Sequence, residues 1–106
     1  MYRLGWCTDY PDANNWLLDG FHPEKSPNFS HWKNTEFAEL TERAQYESDP
    51  KVRQLLYREA EEILNVKEAA IIPLYFDTAI YLVKPRIKNW YHMAFGGQRP
   101  RDWKLD

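Results

Sequence analysis

Apolar positions recur along this chain at two periods, and each period predicts a different element. From Pro50 to about Val66, the residues Val52, Leu55, Leu56, Ala60, Ile63 and Leu64 fall three and four apart. That spacing makes one broad helical face apolar and leaves Lys51, Arg53, Arg58, Glu61 and Glu62 on the wet side as solvated charge. Asp49 is placed to cap this helix, and Pro50 to occupy its first turn, where the missing N–H is harmless. A second helix is predicted to start near Asn34 or Thr35, with its stripe at Phe37, Leu40 and Ala44. Glu39 precedes Arg43 by four residues, an exposed pair adding roughly 0.3 kcal/mol. So short a link, Ser48-Asp49-Pro50, predicts an antiparallel hairpin. A shorter helix, Ala13 to Phe21, carries Trp16, Leu17, Leu18 and Phe21, with Asp12 as N-cap and Gly20 as terminator.

The period of two marks strands. Tyr2, Leu4 and Trp6 alternate with Arg3, Gly5 and Cys7 until Pro11 ends the run. Ala69 to Phe76 reads as a buried strand, with Pro73 implying an edge or a break in the ladder. Thr78 to Val83 reads as another, Ile80 and Leu82 facing one side and Tyr81 and Val83 the other. Ile87 to Phe95 forms a further extended stretch, Gly96-Gly97 a turn, and the tail with Trp103 and Leu105 a terminal strand. Residues 22–30, with Pro23, Pro27 and Asn28, form a loop. The fold class is therefore mixed α and β, a helical hairpin packed on a small mixed sheet. Too few strands are present for a sheet covered on both faces, which predicts a fragment whose capping partner lies elsewhere.

Composition narrows the function classes. A chain of 106 residues makes one modest domain at most. Its net charge of -2 excludes a basic nucleic-acid surface. Five tryptophans and seven tyrosines fit a core, but also a binding cleft or an interface. No apolar run of about 18 residues exists to span a membrane, and Met1-Tyr2-Arg3 leads into strand-like sequence rather than a signal peptide. Cys7, the single cysteine, forms no internal disulfide and reads as a buried small residue or as half of a bridge to an absent segment.

Asp9 is the candidate chemical group. It sits where the first strand ends, among aromatic rings, and a carboxylate there is costly unless a positive group meets it. Two readings stay open on the residues alone: a turn or cap, or a partly buried anion awaiting a ligand cation. Asp9 and Asp12 as a catalytic pair need not converge across a proline turn, and no nucleophile–base constellation or phosphate-cradling loop accompanies them. His22, His31 and Cys7 match no standard zinc spacing; these histidines and His92 read as ordinary surface residues, so neither a metal nor a cofactor is expected. Asn28-Phe29-Ser30 fits a glycosylation sequon, a pattern common by chance. A stand-alone interaction domain, working through the helical hairpin, is a further class, and an exposed sheet edge could pair two copies.

The order of motifs resembles the oligopeptide- and dipeptide-binding proteins of bacterial ABC importers (family 5). The likeness is carried by Gly5-Trp6-Cys7-Thr8-Asp9-Tyr10-Pro11-Asp12, Asn14-Asn15-Trp16-Leu17, Asn28-Phe29-Ser30 and Trp32-Lys33-Asn34. It continues through Asp49-Pro50-Lys51-Val52-Arg53, Leu56-Tyr57, Ala60-Glu61-Glu62-Ile63-Leu64, Ile72-Pro73-Leu74-Tyr75 and Leu82-Val83-Lys84-Pro85. The resemblance implies the C-terminal fragment of a two-lobed, type II periplasmic-binding fold. Residues 1–83 would end the second lobe and residues 84–106 return toward the first.

It further implies a non-enzymatic, extracytoplasmic receptor, free in the periplasm or at the cell surface on a lipid anchor. Its partners would be a peptide ligand, a membrane permease with its ATPases, and the remainder of its own chain. Asp9 would bind the peptide's α-ammonium. Trp6 and Cys7 would lend backbone to the extended ligand, the Trp6 indole would wall the first side-chain pocket, and Tyr10 completes the Trp-x-x-Asp-Tyr stretch. Broad-specificity receptors must read termini and backbone, which all peptides share. Cys7 matches a position bridged to an upstream cysteine in some relatives. Other branches take nickel complexes, haem or oligosaccharides, and Trp6, Trp16 and Trp32 keep sugars open. Holding about half a cleft, the piece alone is expected to bind weakly or not at all.

Overall fold

A computed structural model of the chain describes residues 3–93, 97 and 99–106. It divides into two compact units, Met1–Pro73 and Leu74–Asp106.

The first unit is helical. Helix α1 spans Ala13–Phe21, and Asp12, in extended backbone, accepts the Asn14 N–H at 2.8 Å as its cap. The expected terminator Gly20 lies buried inside the helix instead. The chain leaves α1 at His22, whose N–H still reaches the Leu18 carbonyl at 3.0 Å. Pro23 is the physical reason, because a residue before proline is driven out of the helical region. Helix α2, Thr35–Tyr46, is capped by Asn34, which accepts the Phe37 N–H at 2.8 Å. Helix α3, Pro50–Glu62, is capped by Asp49, which accepts from Lys51 and Val52 at 2.8 and 3.3 Å.

Beyond Glu62 the helix widens into a π-helical turn, Ile63–Lys67. It closes with Glu68 N–H on the Ile63 carbonyl at 3.0 Å and Ala70 N–H on Leu64 at 2.9 Å, while Ala69 takes a left-handed φ of 46°. These spacings of five and six residues, wider than the four of an α-helix, release the chain from helix without a glycine.

α2 and α3 pack on each other and α1 packs on both. The core they share is Leu17, Phe37, Leu40, Ala44, Leu56, Tyr57, Ala60, Ile63 and Leu64. Trp32 meets the Phe37 ring edge-on, centroids 5.0 Å apart, a geometry favoured by the ring quadrupoles. The predicted stripe of α3 is rotated by part of a turn. Val52 and Leu55 are exposed, whereas Tyr57 is buried and Arg53 is drawn inward. The inward face thus runs 53, 56, 57, 60, 63 and 64, because α3 must meet α1 as well as α2.

The second unit contains a two-stranded antiparallel ladder, β1 (Ile87–Lys88) with β2 (Lys104–Leu105), in register Ile87 to Leu105. A 3-10 turn, Pro100–Asp102, precedes β2. Lys88 Nζ meets the Asp106 carboxylate at 3.1 Å, and Tyr81 packs against the Trp90 and His92 rings.

Mixed α and β composition therefore holds, but three strand expectations do not. Residues 3–8, 69–76 and 78–83 carry no strand. Ala70 and Ile71 pack partly buried against the helical core, but from Ile72 to Val83 the apolar side chains stand in water, Phe76 93% and Leu82 97% exposed. A strand is completed by its ladder, and no described segment pairs with these. Within the first unit the three helices rest on one another, and no strand lies among its described residues. Tyr2, and part of the expected turn at Gly96-Gly97, lie outside the described residues. No described helix is long and apolar enough to cross a membrane.

Candidate ligand-binding stretch before helix α1

The stretch Trp6 to Asp12 is shaped by the first two turns of α1. Trp6 and Thr8 are half-buried; Cys7, Asp9 and Tyr10 are exposed. The Thr8 hydroxyl donates to the Tyr10 carbonyl, tightening the turn, and Asp12 N–H reaches the same carbonyl at 2.9 Å.

Asn15, on α1 and 1% exposed, gathers this stretch. Its Oδ1 accepts from the Trp6 indole N–H at 3.3 Å and from the Asp9 backbone N–H at 3.0 Å. Its Nδ2 donates to Asp9 Oδ2 at 3.4 Å and to Asp19 Oδ2 at 3.1 Å. Three of the four expected site residues are thereby brought to one helix end: Trp6 and Asp9 on Asn15, and Tyr10 beside them through Asp19.

Tyr10 donates its hydroxyl to Asp19 at 2.6 Å and accepts from Asn14 Nδ2 at 2.9 Å. Partial withdrawal from water, then the bond to the Asp19 carboxylate, raises the pKa of this phenol. Cys7 is the exception: its thiol is free and exposed, not the buried small residue expected. Asp9 differs from expectation as well. It is exposed rather than partly buried, because no described strand or helix covers the segment around it.

Asp12 settles differently from Asp9. Besides capping α1, it receives both terminal nitrogens of Arg53, at 2.9 and 2.8 Å. This two-pronged geometry is the strong form of a charge-assisted bond. The hydrogen bond from Arg53 is the main cause that holds the Asp12 carboxyl below its ordinary range, over an opposing effect of burial. Arg53 Nε also donates to the Ala44 carbonyl at the end of α2, at 3.0 Å, and the guanidinium lies 4.9 Å from the Tyr57 ring centre. One side chain thus ties the start of α1 and the end of α2 to α3. The solvated charge expected at position 53 is a clamp, and the spare carboxylate of an Asp9–Asp12 pair is already committed.

From Arg53 the bonds run on without reversal. Arg53 donates to the Tyr57 hydroxyl (3.1 Å), Tyr57 to Asn14 Oδ1 (3.1 Å), Asn14 to Tyr10, and Tyr10 to Asp19. Burial raises the pKa of the Tyr57 phenol, which keeps it a donor. Asn14, Asn15, Asp19 and Tyr57 carry no signal of a role in the hydrophobic pattern, and Arg53 reads there only as solvated charge. One signal was available: two adjacent asparagines inside an otherwise apolar helical segment, where asparagine is a poor helix former.

The histidine readings also change. His22 is buried, not a surface residue. Its Nδ1 accepts from the Glu24 and Lys25 N–H groups at 3.1 and 3.0 Å, and its Nε2 faces Glu42 at 3.1 Å. Lys25 meets that carboxylate at 2.6 Å and depresses its pKa. Among the described residues no group of three His, Cys, Asp or Glu side chains is placed to hold a metal ion. Asn28, of the sequon, is buried with its amide donating to the Trp32 carbonyl at 2.7 Å, so it is closed to modification in the folded chain. Among the described residues, one hollow of about 760 Å³ lies between α1 and α3, lined by Leu17, Arg53, Tyr57 and Glu61 among others, and another of about 440 Å³ lies along α2. Neither is lined by Asp9.

No protein-family model matches the chain. Individual relatives do. A protein named as the probable deoxycholate-binding periplasmic protein YgiS of Escherichia coli is 34% identical over 103 residues, 97% of this chain and 18% of its own length. The dipeptide-binding protein DppE of Bacillus subtilis is 38% identical over 87 residues, 82% of this chain and 16% of its own length. The periplasmic oligopeptide-binding protein OppA of Salmonella typhimurium is 35% identical over 88 residues, 83% of this chain and 16% of its own length. The chain spans about a sixth of the length of these relatives. Identity at 34–38% over 82–97% of its residues makes this chain a segment of the bacterial oligopeptide- and dipeptide-binding family of solute-binding proteins.

Proposed function

We propose that this chain is the C-terminal part of the substrate-binding component of an ABC importer, and that the whole protein captures peptides by their free amino end. It works outside the cytoplasm, in the periplasm or anchored at the cell surface, passing its ligand to a membrane permease driven by ATPases. It performs no chemistry. The observation that carries this reading is the similarity to proteins named for dipeptides and oligopeptides over more than four-fifths of the chain.

The stretch before α1 supplies a matching chemistry. Asp9 offers a carboxylate whose backbone and side chain are both held by Asn15, beside an indole suited to wall a side-chain pocket. In the whole protein, residues 1–83 belong to the second lobe and 84–106 return to the first, in a type II periplasmic-binding fold. Closure of the lobes buries Asp9 together with the ligand ammonium. The desolvated pair then contributes strongly, because a partner left alone keeps its charge without water.

Asp9→Asn in the full-length protein is expected to weaken binding of a free-amine peptide by roughly 2–5 kcal/mol, measured by calorimetry. Unchanged affinity would end the reading. The 106-residue chain by itself is expected to show weak or undetectable peptide binding, and micromolar affinity would contradict the assignment of only part of the cleft to it.

A second reading comes from the relative named for deoxycholate. That ligand is an anionic steroid acid with no ammonium for Asp9. Deoxycholate binding that survives Asp9→Asn, with no peptide binding in the wild type, would favour it.

A further inference from the structure

The Asn15 side chain has no hydrogen-bonding capacity left over. A primary amide offers two lone pairs and two N–H groups. Here both lone pairs are taken, by Trp6 Nε1–H and Asp9 N–H, and both N–H groups point at carboxylates, those of Asp9 and Asp19. The partners also dictate which way the amide faces. Turned over, its oxygen would confront two carboxylate oxygens and its NH₂ two N–H donors. Asp19, one helical turn further along α1, is itself fixed by the Tyr10 hydroxyl, so the amide is anchored from the helix side. All of this is buried at Asn15, while the Asp9 carboxylate it orients is exposed.

Resting on the reading of Asp9 as the ammonium site, we propose that Asn15 is its positioning residue. It sets the direction of the Asp9 carboxylate and the offset between that carboxylate and the Trp6 indole, with Asp19 as the anchor that keeps the amide from turning. An exposed carboxylate free to rotate would lose that freedom on capturing a ligand; one already held does not, and such preorganisation is converted into affinity. Because one amide oxygen holds both Trp6 and Asp9, the span from ammonium anchor to first side-chain wall is fixed by α1 rather than by the loop. Asn15 touches no ligand in this scheme. It acts through Asp9, so its effect must vanish when Asp9 or the ligand's amine is removed.

The test is a double-mutant cycle in the full-length protein, with Asp9→Asn, Asn15→Leu and the pair. Each is titrated by calorimetry with trialanine and, directly or by displacement, with N-acetyl-trialanine. Asn15→Leu is expected to weaken trialanine at least about tenfold, by loss of the preorganised carboxylate. It should leave the acetylated peptide, and the Asp9→Asn background, within about twofold. Equal losses for both peptides, multiplicative losses in the double variant, or no loss at all would overturn the role of Asn15. If instead Asp9→Asn leaves trialanine binding intact, the ammonium reading itself fails, a result visible before any Asn15 variant is considered. Should Asn15→Leu lose its far-ultraviolet circular dichroism, Asn15→Ser, which has room for a water beside it, supplies the same comparison with the same expected order.

Discussion

Helices α2 and α3, with the turn Ile63–Lys67 that continues α3, and the segment 72–83 are both rich in apolar residues, yet they end in opposite environments. Phe37, Ala44, Ala60, Ile63 and Leu64 are almost wholly buried, while Phe76, Ile80 and Leu82 are 85–97% exposed. The difference lies in where each finds its partner. A helix completes its backbone bonds within itself and needs a neighbour only for one face; α2 and α3 are each other's neighbour. A strand needs another strand for its backbone before its side chains can be covered. Periodicity tells which face an element would bury. It does not tell whether the burying partner is present.

The largest expected effect that would break this contrast lies in the helical unit. Phe37→Ala removes a fully buried ring from the centre of the core and should cost about 3–5 kcal/mol in the 106-residue chain, read from urea unfolding. A loss under about 1 kcal/mol would mean that α2 and α3 do not share a tight core.

Arg53→Met comes next. It breaks the two-pronged bond to Asp12 and the bond to the Ala44 carbonyl while keeping much of the stem packing, and should cost about 2 kcal/mol. The same bond gives a sign to the pH dependence. Asp12 has its pKa depressed below the ordinary 3.8 in the folded chain, so the unfolded chain takes up its proton first on acidification. The Asp12 contribution is complete above that ordinary value and is lost as pH falls through the lower, folded one. Urea unfolding at pH 7 and at low pH should therefore show a smaller acid loss in Arg53→Met than in the wild type. Equal losses in the two would detach Asp12 from the clamp.

The smallest effect belongs to the other side of the comparison. Leu82→Ser, at a side chain 97% exposed, should change the stability of the 106-residue chain by no more than about 0.5 kcal/mol. A larger loss would show that the segment is covered after all.

What was legible in the sequence follows the same division. Asp12, Asn34 and Asp49 cap the predicted helices because capping is a local event between residues two or three apart. The inward turn of α3 was not legible, since it is set by Arg53 reaching Asp12, forty-one residues away in sequence. At the site, the Trp6–Tyr10 stretch was recognisable as a pattern of residues. The holding of Asp9 by Asn15 was not, although Asn15 is only six residues further on. An asparagine in a helix can cap, bond or simply face water, and only packing chooses among these. The burial of His22 escaped for the same reason: its ring is buried by the return of the loop onto α2 through Glu42, twenty residues on.

The central claim is that Asp9 receives the amino end of a peptide. A crystal structure of the full-length protein with trialanine tests it most directly. The account predicts the ligand ammonium about 2.7–2.9 Å from an Asp9 carboxylate oxygen, with the Asn15 amide still bonded to that side chain. An ammonium seated elsewhere, with Asp9 left facing solvent in the closed protein, would contradict it.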